Sequence, residues 1–97
     1  MSEAAAEPAV HATAEIVNKR GLHARASAKF VTTVAKYNAE VTVTREGNAV
    51  SGRSIMGLMM LGAAMGSTID IDATGPDARK VVDALLALIA GRFEEDL

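Results

Sequence analysis

The chain has 97 residues, a formal net charge of −2 and no cysteine. That length suits one small domain rather than two, the charge balance argues against a nucleic-acid binder, which needs a basic face, and the absence of cysteine excludes disulfides and thiolate metal sites. Apolar residues make up 49% of the chain but aromatic ones only 3%, so the core must be built from Val, Ile, Leu, Met and Ala.

Residues 1–8 are rich in Ala and Glu, end in Pro8, and read as a disordered N-terminal tail ahead of a single domain over 9–97. The start has neither a basic leader region nor a long apolar run. The apolar stretch Ala84 to Ala90 is too short to span a bilayer. A cytoplasmic protein without membrane insertion is expected. From Val10 to Val17 the residues alternate, with Ala12, Ala14 and Ile16 on one side and His11, Thr13 and Glu15 on the other. That pattern predicts a half-buried strand, with His11 on its solvent side.

Lys19-Arg20-Gly21 turns the chain, and from Ala24 to Tyr37 the spacing becomes helical. Phe30, Val31 and Val34 share the apolar face. Asn38 ends this helix. Val41 and Val43 alternate with Thr42 and Thr44 in a second strand, Glu46-Gly47-Asn48 marks a turn, and Ala49-Val50-Ser51 opens a short third strand. Ser54 is a candidate N-cap for a short helix over Ile55–Leu61. Thr68 to Ala73 alternates as a fourth strand, with Ile69 and Ile71 inward and Asp70 and Asp72 outward. After Gly75-Pro76 a last helix is expected, with Asp77 in its first turn and two apolar rows. One row is Ala78, Val81, Leu85 and Leu88; the other is Val82, Leu86, Ile89 and Phe93. The ending Glu94-Glu95-Asp96-Leu97 is acidic. The order β-α-β-β-α-β-α with one-sided strands predicts an α+β fold, a four-stranded antiparallel sheet covered on one face by three helices.

Chemistry concentrates at Arg20-Gly21-Leu22-His23-Ala24-Arg25-Ala26. An imidazole stands at the opening of a helix, with a guanidinium two residues on. A helix N-terminus has unpaired N–H groups and a partial positive charge, so it favours an anion. A neutral imidazole nitrogen is a usable nucleophile near neutral pH, and arginine binds phosphate oxygens through charge-assisted hydrogen bonds. Lys19, Arg20, Arg25 and Lys29 flank His23 and suit a phosphate or an acidic partner. With no carboxylate pair or Ser/His/Asp set nearby, the pattern reads as a carrier whose turnover chemistry is supplied by partners. Two histidines far apart imply no metal site, and no cofactor is expected.

Two other features stay open on spacing alone. Ser54 is either a plain helix cap or a site of regulatory phosphorylation, where two added charges would alter a docking surface. Ile55, Met56, Leu58, Met59, Met60 and Leu61 cannot all be buried by so short a helix. They form either an adaptable partner surface or a loosely ordered core edge. A docking module switched at Ser54, or a small domain binding an anionic metabolite near His23, stand beside the carrier reading.

Together the motifs Gly21-Leu22-His23-Ala24-Arg25 and Arg53-Ser54-Ile55-Met56-Gly57-Leu58-Met59, about thirty residues apart, resemble those of the HPr family. These are the histidine-containing phosphocarriers of the phosphoenolpyruvate-dependent phosphotransferase system, and the likeness spans about residues 9–93. The resemblance implies an open-faced β-sandwich and a carrier that is not itself an enzyme. It implies that His23 accepts a phosphoryl group through Nδ1 from enzyme I and passes it to enzyme IIA proteins. Arg25 matches the phosphate-stabilising arginine, and Ala24, Arg25 and Ala26 the helix start that cradles the phosphate. Ser54 matches the serine modified by HPr kinase/phosphorylase. Leu22, Ile55, Met56 and Met59 match the docking surface of a carrier expected to work as a monomer. The family usually has proline where this chain has Ala26, which predicts slightly looser phosphate binding without loss of function.

Overall fold

Period-two alternation sorts each strand into an apolar and a polar side, and the helices cover the apolar one. The computed structural model describes residues 8–95. Its elements are β1 (Ala9–Glu15), α1 (Ala24–Ala35), β2 (Glu40–Arg45), β3 (Asn48–Ser51), α2 (Ile55–Met60), β4 (Thr68–Thr74) and α3 (Ala78–Ala90), followed by a single 3-10 turn at Arg92–Glu94. The strands form one antiparallel sheet in the order β1-β4-β2-β3. This is the expected α+β architecture, with a four-stranded antiparallel sheet and three helices.

The register explains how a core poor in aromatics closes. Ala12, Ile71, Val43 and Val50 lie side by side across the four strands, so branched residues of the central strands meet smaller neighbours. Ile69, Ile71 and Val43 are fully buried, as are Phe30 and Val34 of α1 and Val81, Val82 and Leu85 of α3. Among the described residues no helix is long and apolar enough to cross a membrane.

Three expectations need correction. Pro8, assigned to the tail, is tied to the sheet, its carbonyl accepting the Gly75 N–H at 3.0 Å; residues 1–7 lie outside the described residues. Asp77, expected in the first turn of the last helix, instead stands just before α3 at its N-cap position, where its Oδ2 accepts the Asn38 N–H at 2.8 Å. Phe93 is not part of the α3 row. The helix ends at Ala90, and Phe93 reaches the core from a left-handed turn (φ 53°), where it is 2% exposed.

The open face of the sheet carries a small polar cluster. His11 Nδ1 lies 2.8 Å from Asp72 Oδ1 and its Nε2 3.7 Å from Asp70, while the Thr13 hydroxyl donates to Asp70 at 2.8 Å. His11 is thus paired rather than merely solvated. The hydrogen bond to Asp72, then the charges of Asp72 and Asp70, hold the imidazole above its ordinary value of 6.5. A histidine raised on folding stabilises fully below its unfolded pKa and loses that contribution as pH rises through the folded value. The pair is half exposed, so the effect is small. Denaturant melts of wild type and His11→Asn should therefore differ on the acid side of 6.5 and converge in mild alkali. A gap independent of pH would refute the pairing.

Candidate functional site

Four hydrogen bonds of backbone and side chains shape the loop between β1 and α1. The Gly21 N–H donates to Asn18 O at 3.2 Å, and the Asn18 side-chain amide donates to Gly21 O at 2.9 Å. Gly21 adopts φ +67°, where glycine carries no steric cost. The next residue, Leu22, donates its N–H to Ala63 O at 2.9 Å, and its own carbonyl accepts the buried Ser27 hydroxyl at 3.2 Å. Leu22 is 5% exposed. It anchors the loop from beneath and offers little to a partner, which corrects its assignment to the docking surface.

Clamped in this way, the chain places His23 as the N-cap of α1, in extended conformation (φ −75°, ψ −176°). Its Nδ1 accepts the Arg25 N–H at a long 3.3 Å, so the nitrogen lone pair points toward the open first turn. Ala24, Arg25 and Ala26 supply the N–H groups that have no acceptor within the helix. Arg25 is exposed, and its guanidinium has no carboxylate partner among the described residues; Ala26 is fully buried beneath it. The ring, Arg20, Arg25, Ala26 and the segment Phe93–Glu95 line a cleft of about 240 Å³, large enough for a phosphoryl group and open to a partner.

The other wall of the cleft was not legible in the sequence. Arg92, Phe93 and Glu94 have φ of 60°, 53° and 60°. Each costs about 1–2 kcal/mol for a residue with a Cβ. Burial of the Phe93 ring, worth about 1.5–3 kcal/mol, offsets part of this. Lys29 adds to it, donating to Phe93 O at 2.8 Å and pairing with Glu94 at 3.1 Å. The reversed chain brings Glu95 to the histidine. Glu95 Oε2 lies 3.3 Å from His23 Nε2 and 3.4 Å from the Asn18 amide nitrogen, and Oε1 accepts the Arg20 N–H at 3.4 Å. Partial burial pushes the Glu95 carboxyl up. Hydrogen bonds from Asn18, Arg20 and Lys19, with the charge on His23, outweigh that and hold it below the usual carboxylate range.

The second motif lies on α2. Ser54 is its N-cap, Oγ accepting the Gly57 N–H at 2.9 Å. A Cβ on Gly57 would stand 3.0 Å from that Oγ and 3.1 Å from Val50, so glycine there keeps the hydroxyl's surroundings open. Leu58 and Leu61 are buried, whereas Ile55, Met56, Met59 and Met60 are exposed, with Met65 beyond the helix and Val17 before the loop. The contact of Leu22 and Gly21 with Ala63 and Ala64, just after α2, sets this apolar patch beside the His23 loop. No group of side chains able to hold a metal ion occurs among the described residues.

Comparison with known proteins gives this arrangement its context. The family described as the PTS HPr component phosphorylation site matches residues 10–91. The chain belongs to the HPr family. It is 51% identical over 80 residues to the phosphocarrier protein HPr of Cupriavidus necator, covering 82% of this chain and 90% of that one. It is 38% identical over 88 residues to the phosphocarrier protein NPr of Escherichia coli, covering 90% and 98%. Among solved structures, HPr-C-His from Thermoanaerobacter tengcongensis superposes with a TM-score of 0.86 at 40% identity, covering 91% of this chain and 99% of that one. As a member of the HPr family, the chain is a phosphocarrier of the phosphotransferase system, a carrier rather than a catalyst.

Proposed function

We propose that this carrier accepts its phosphoryl group on His23 from enzyme I, itself charged by phosphoenolpyruvate, and delivers it to enzyme IIA proteins in the cytoplasm. The observation supporting this is the placement of His23 Nδ1 at the open N-terminus of α1, beside an Arg25 guanidinium that pairs with no carboxylate among the described residues.

The step follows from that placement. The Nδ1 lone pair forms the N–P bond while the bond from phosphorus to the donor breaks, its electron pair leaving with the donor. The long hydrogen bond from Arg25 N–H to Nδ1 is released, and that N–H turns to the incoming oxygens. The helix terminus contributes about 0.3–1 kcal/mol to holding the anion, and charge-assisted bonds from the Arg25 guanidinium about 1.5–3 kcal/mol. Arg25 is therefore the stronger of the two. Delivery reverses the step toward the acceptor's nucleophile. Incubation with enzyme I and labelled phosphoenolpyruvate tests the reading: an acid-labile, base-stable label on His23 is expected. No label on a folded chain would favour a docking module instead.

Exposed Ile55, Met56 and Met59 serve as the docking surface, and Ser54 at its edge is the regulatory site for HPr kinase/phosphorylase. A phosphate at an N-cap suits the helix dipole, so the fold tolerates it. The added charge acts on docking instead. Ser54→Asp, which keeps an N-cap, should slow acceptance from enzyme I by about tenfold at low salt, with partial recovery at high salt as the charge is screened. Equal rates for the two proteins at low salt would remove Ser54 from the docking surface.

A further inference from the structure

Apart from Met1, every methionine of the chain falls between positions 56 and 65: Met56, Met59, Met60 and Met65. Each is exposed, from 41% at Met59 to 78% at Met60. The buried hydrophobic core of the described residues is built from Ala, Val, Ile, Leu and Phe. It holds no sulfur, and the chain has no cysteine. The division is sharp in and just after α2, where the buried positions are Leu58 and Leu61 and the thioethers of Met56, Met59 and Met60 all face out. With no thiol to react in their place, these thioethers are the chain's sulfur targets for an oxidant. An oxidant therefore meets sulfur at the surface beside the His23 loop, and the packing that holds the fold offers it none.

We propose that Met56 and Met59 are a site of reversible oxidation by peroxides, which weakens docking of the carrier and leaves its fold and its phosphoryl chemistry intact. The proposal rests on Ile55, Met56 and Met59 being the docking surface. Met59 lies one turn on from both Ile55 and Met56, so the three share a face of α2. Met60 lines a separate hollow against Asn48, Ala49 and Val50 of β3, and Met65 stands beyond the helix. In the oxidation a sulfur lone pair attacks one peroxide oxygen. The S–O bond forms as the O–O bond breaks, and hydroxide leaves and takes up the remaining proton as water. Sulfur loses two electrons and the peroxide gains them. The sulfoxide oxygen is a strong acceptor, and apolar partner surface laid over it supplies no donor. The helix survives the change, because what fixes it contains no sulfur: buried Leu58 and Leu61, Ser54 Oγ accepting the Gly57 N–H at 2.9 Å, and Arg45 donating to Leu61 O at 2.9 Å. His23 and Arg25 stand on the other loop, so transfer within a docked pair proceeds as before. Methionine sulfoxide reductases reverse the step with a thiol reductant, which becomes a disulfide while the oxygen leaves as water.

Hydrogen peroxide applied to the full chain, followed by peptide mass mapping, shows which methionines gain oxygen, and Met56 and Met59 are expected among them. Acceptance from enzyme I over a range of carrier concentrations should then show KM raised about tenfold or more, the effect of covering one polar group without a partner, with kcat within about twofold. The thermal melt should stay cooperative, and methionine sulfoxide reductases with dithiothreitol should restore KM. Each variant is compared with its own untreated sample. Met56→Leu with Met59→Leu should keep its KM through peroxide treatment, whereas Met60→Leu with Met65→Leu should respond as wild type does. Full oxidation of Met56 and Met59 with KM unmoved overturns the proposal. So does an equal response in the Met56→Leu, Met59→Leu protein, loss of the fold in treated wild type, or a rise in KM that the reductases leave in place. Met56→Glu in the unoxidised chain tests the docking reading separately. An unmoved KM there removes the docking surface and the switch with it; a KM raised by that substitution but not by peroxide removes the switch alone.

Discussion

Replacing His23 with alanine is expected to abolish phosphoryl acceptance and leave the fold standing. The imidazole is a quarter exposed, with a side-chain exposure of 25%, and its contribution to the helix is one long cap bond at 3.3 Å. Loss of a good N-cap costs about 0.5–2 kcal/mol, and a bond this long sits at the lower end. That is small against the roughly 5–15 kcal/mol that holds a domain together. The transfer step has no such tolerance, because alanine offers no lone pair to phosphorus. The chain's other imidazole is no substitute. His11 lies on the open face of the sheet, with Nδ1 engaged by Asp72 at 2.8 Å, and has no helix terminus or arginine beside it. Labelling with enzyme I and phosphoenolpyruvate, run alongside thermal melts by circular dichroism, decides the matter. His11→Ala should label like wild type. Label retained in His23→Ala would place the acceptor elsewhere, and an unfolded His23→Ala would show that the ring holds the loop as well.

What the sequence made legible was local. Glycine, histidine and arginine at the mouth of an amphipathic helix, and a serine ahead of a short apolar one, are short-range patterns. The chain folds each of them as spacing suggests, with His23 and Ser54 as N-caps. The approach of Glu95 to within 3.3 Å of His23 Nε2, from the far end of the chain, was beyond reach. Asn18 and Glu95 stand 77 positions apart, and nothing periodic links them. Phe93 misled for a related reason. It falls four residues after Ile89 and so extends the helical row, yet the helix stops at Ala90 and burial is achieved through a left-handed turn. Leu22 shows the same limit within a motif. Its neighbours suggest exposure at an active surface, while its burial depends on Ala63, which the fold alone brings underneath.

That contact beneath the loop carries the second large effect. Gly21→Ala should destabilise the protein by about 2–5 kcal/mol, combining the left-handed penalty with overpacking, and acceptance should fall by more than tenfold. A Cβ at Gly21 would lie 2.4 Å from Ala63 O and 2.8 Å from Ala64 Cα. Both are backbone atoms, so no rotamer change relieves the overlap. The loop must lift, and lifting it stretches the Leu22 N–H to Ala63 O bond that precedes His23. The imidazole then loses its aim at the helix terminus, and small misplacements of a reacting group are costly in rate. Gly47 provides the control. It too is left-handed, with φ +84°, but a Cβ there meets nothing within 4 Å. Gly47→Ala should therefore cost only the conformational part, about 1–2 kcal/mol, with acceptance unchanged. Urea melts of the two variants separate packing from backbone preference. Equal losses would mean that the loop rests on glycine's flexibility alone and that the floor formed by Ala63 and Ala64 does not aim His23.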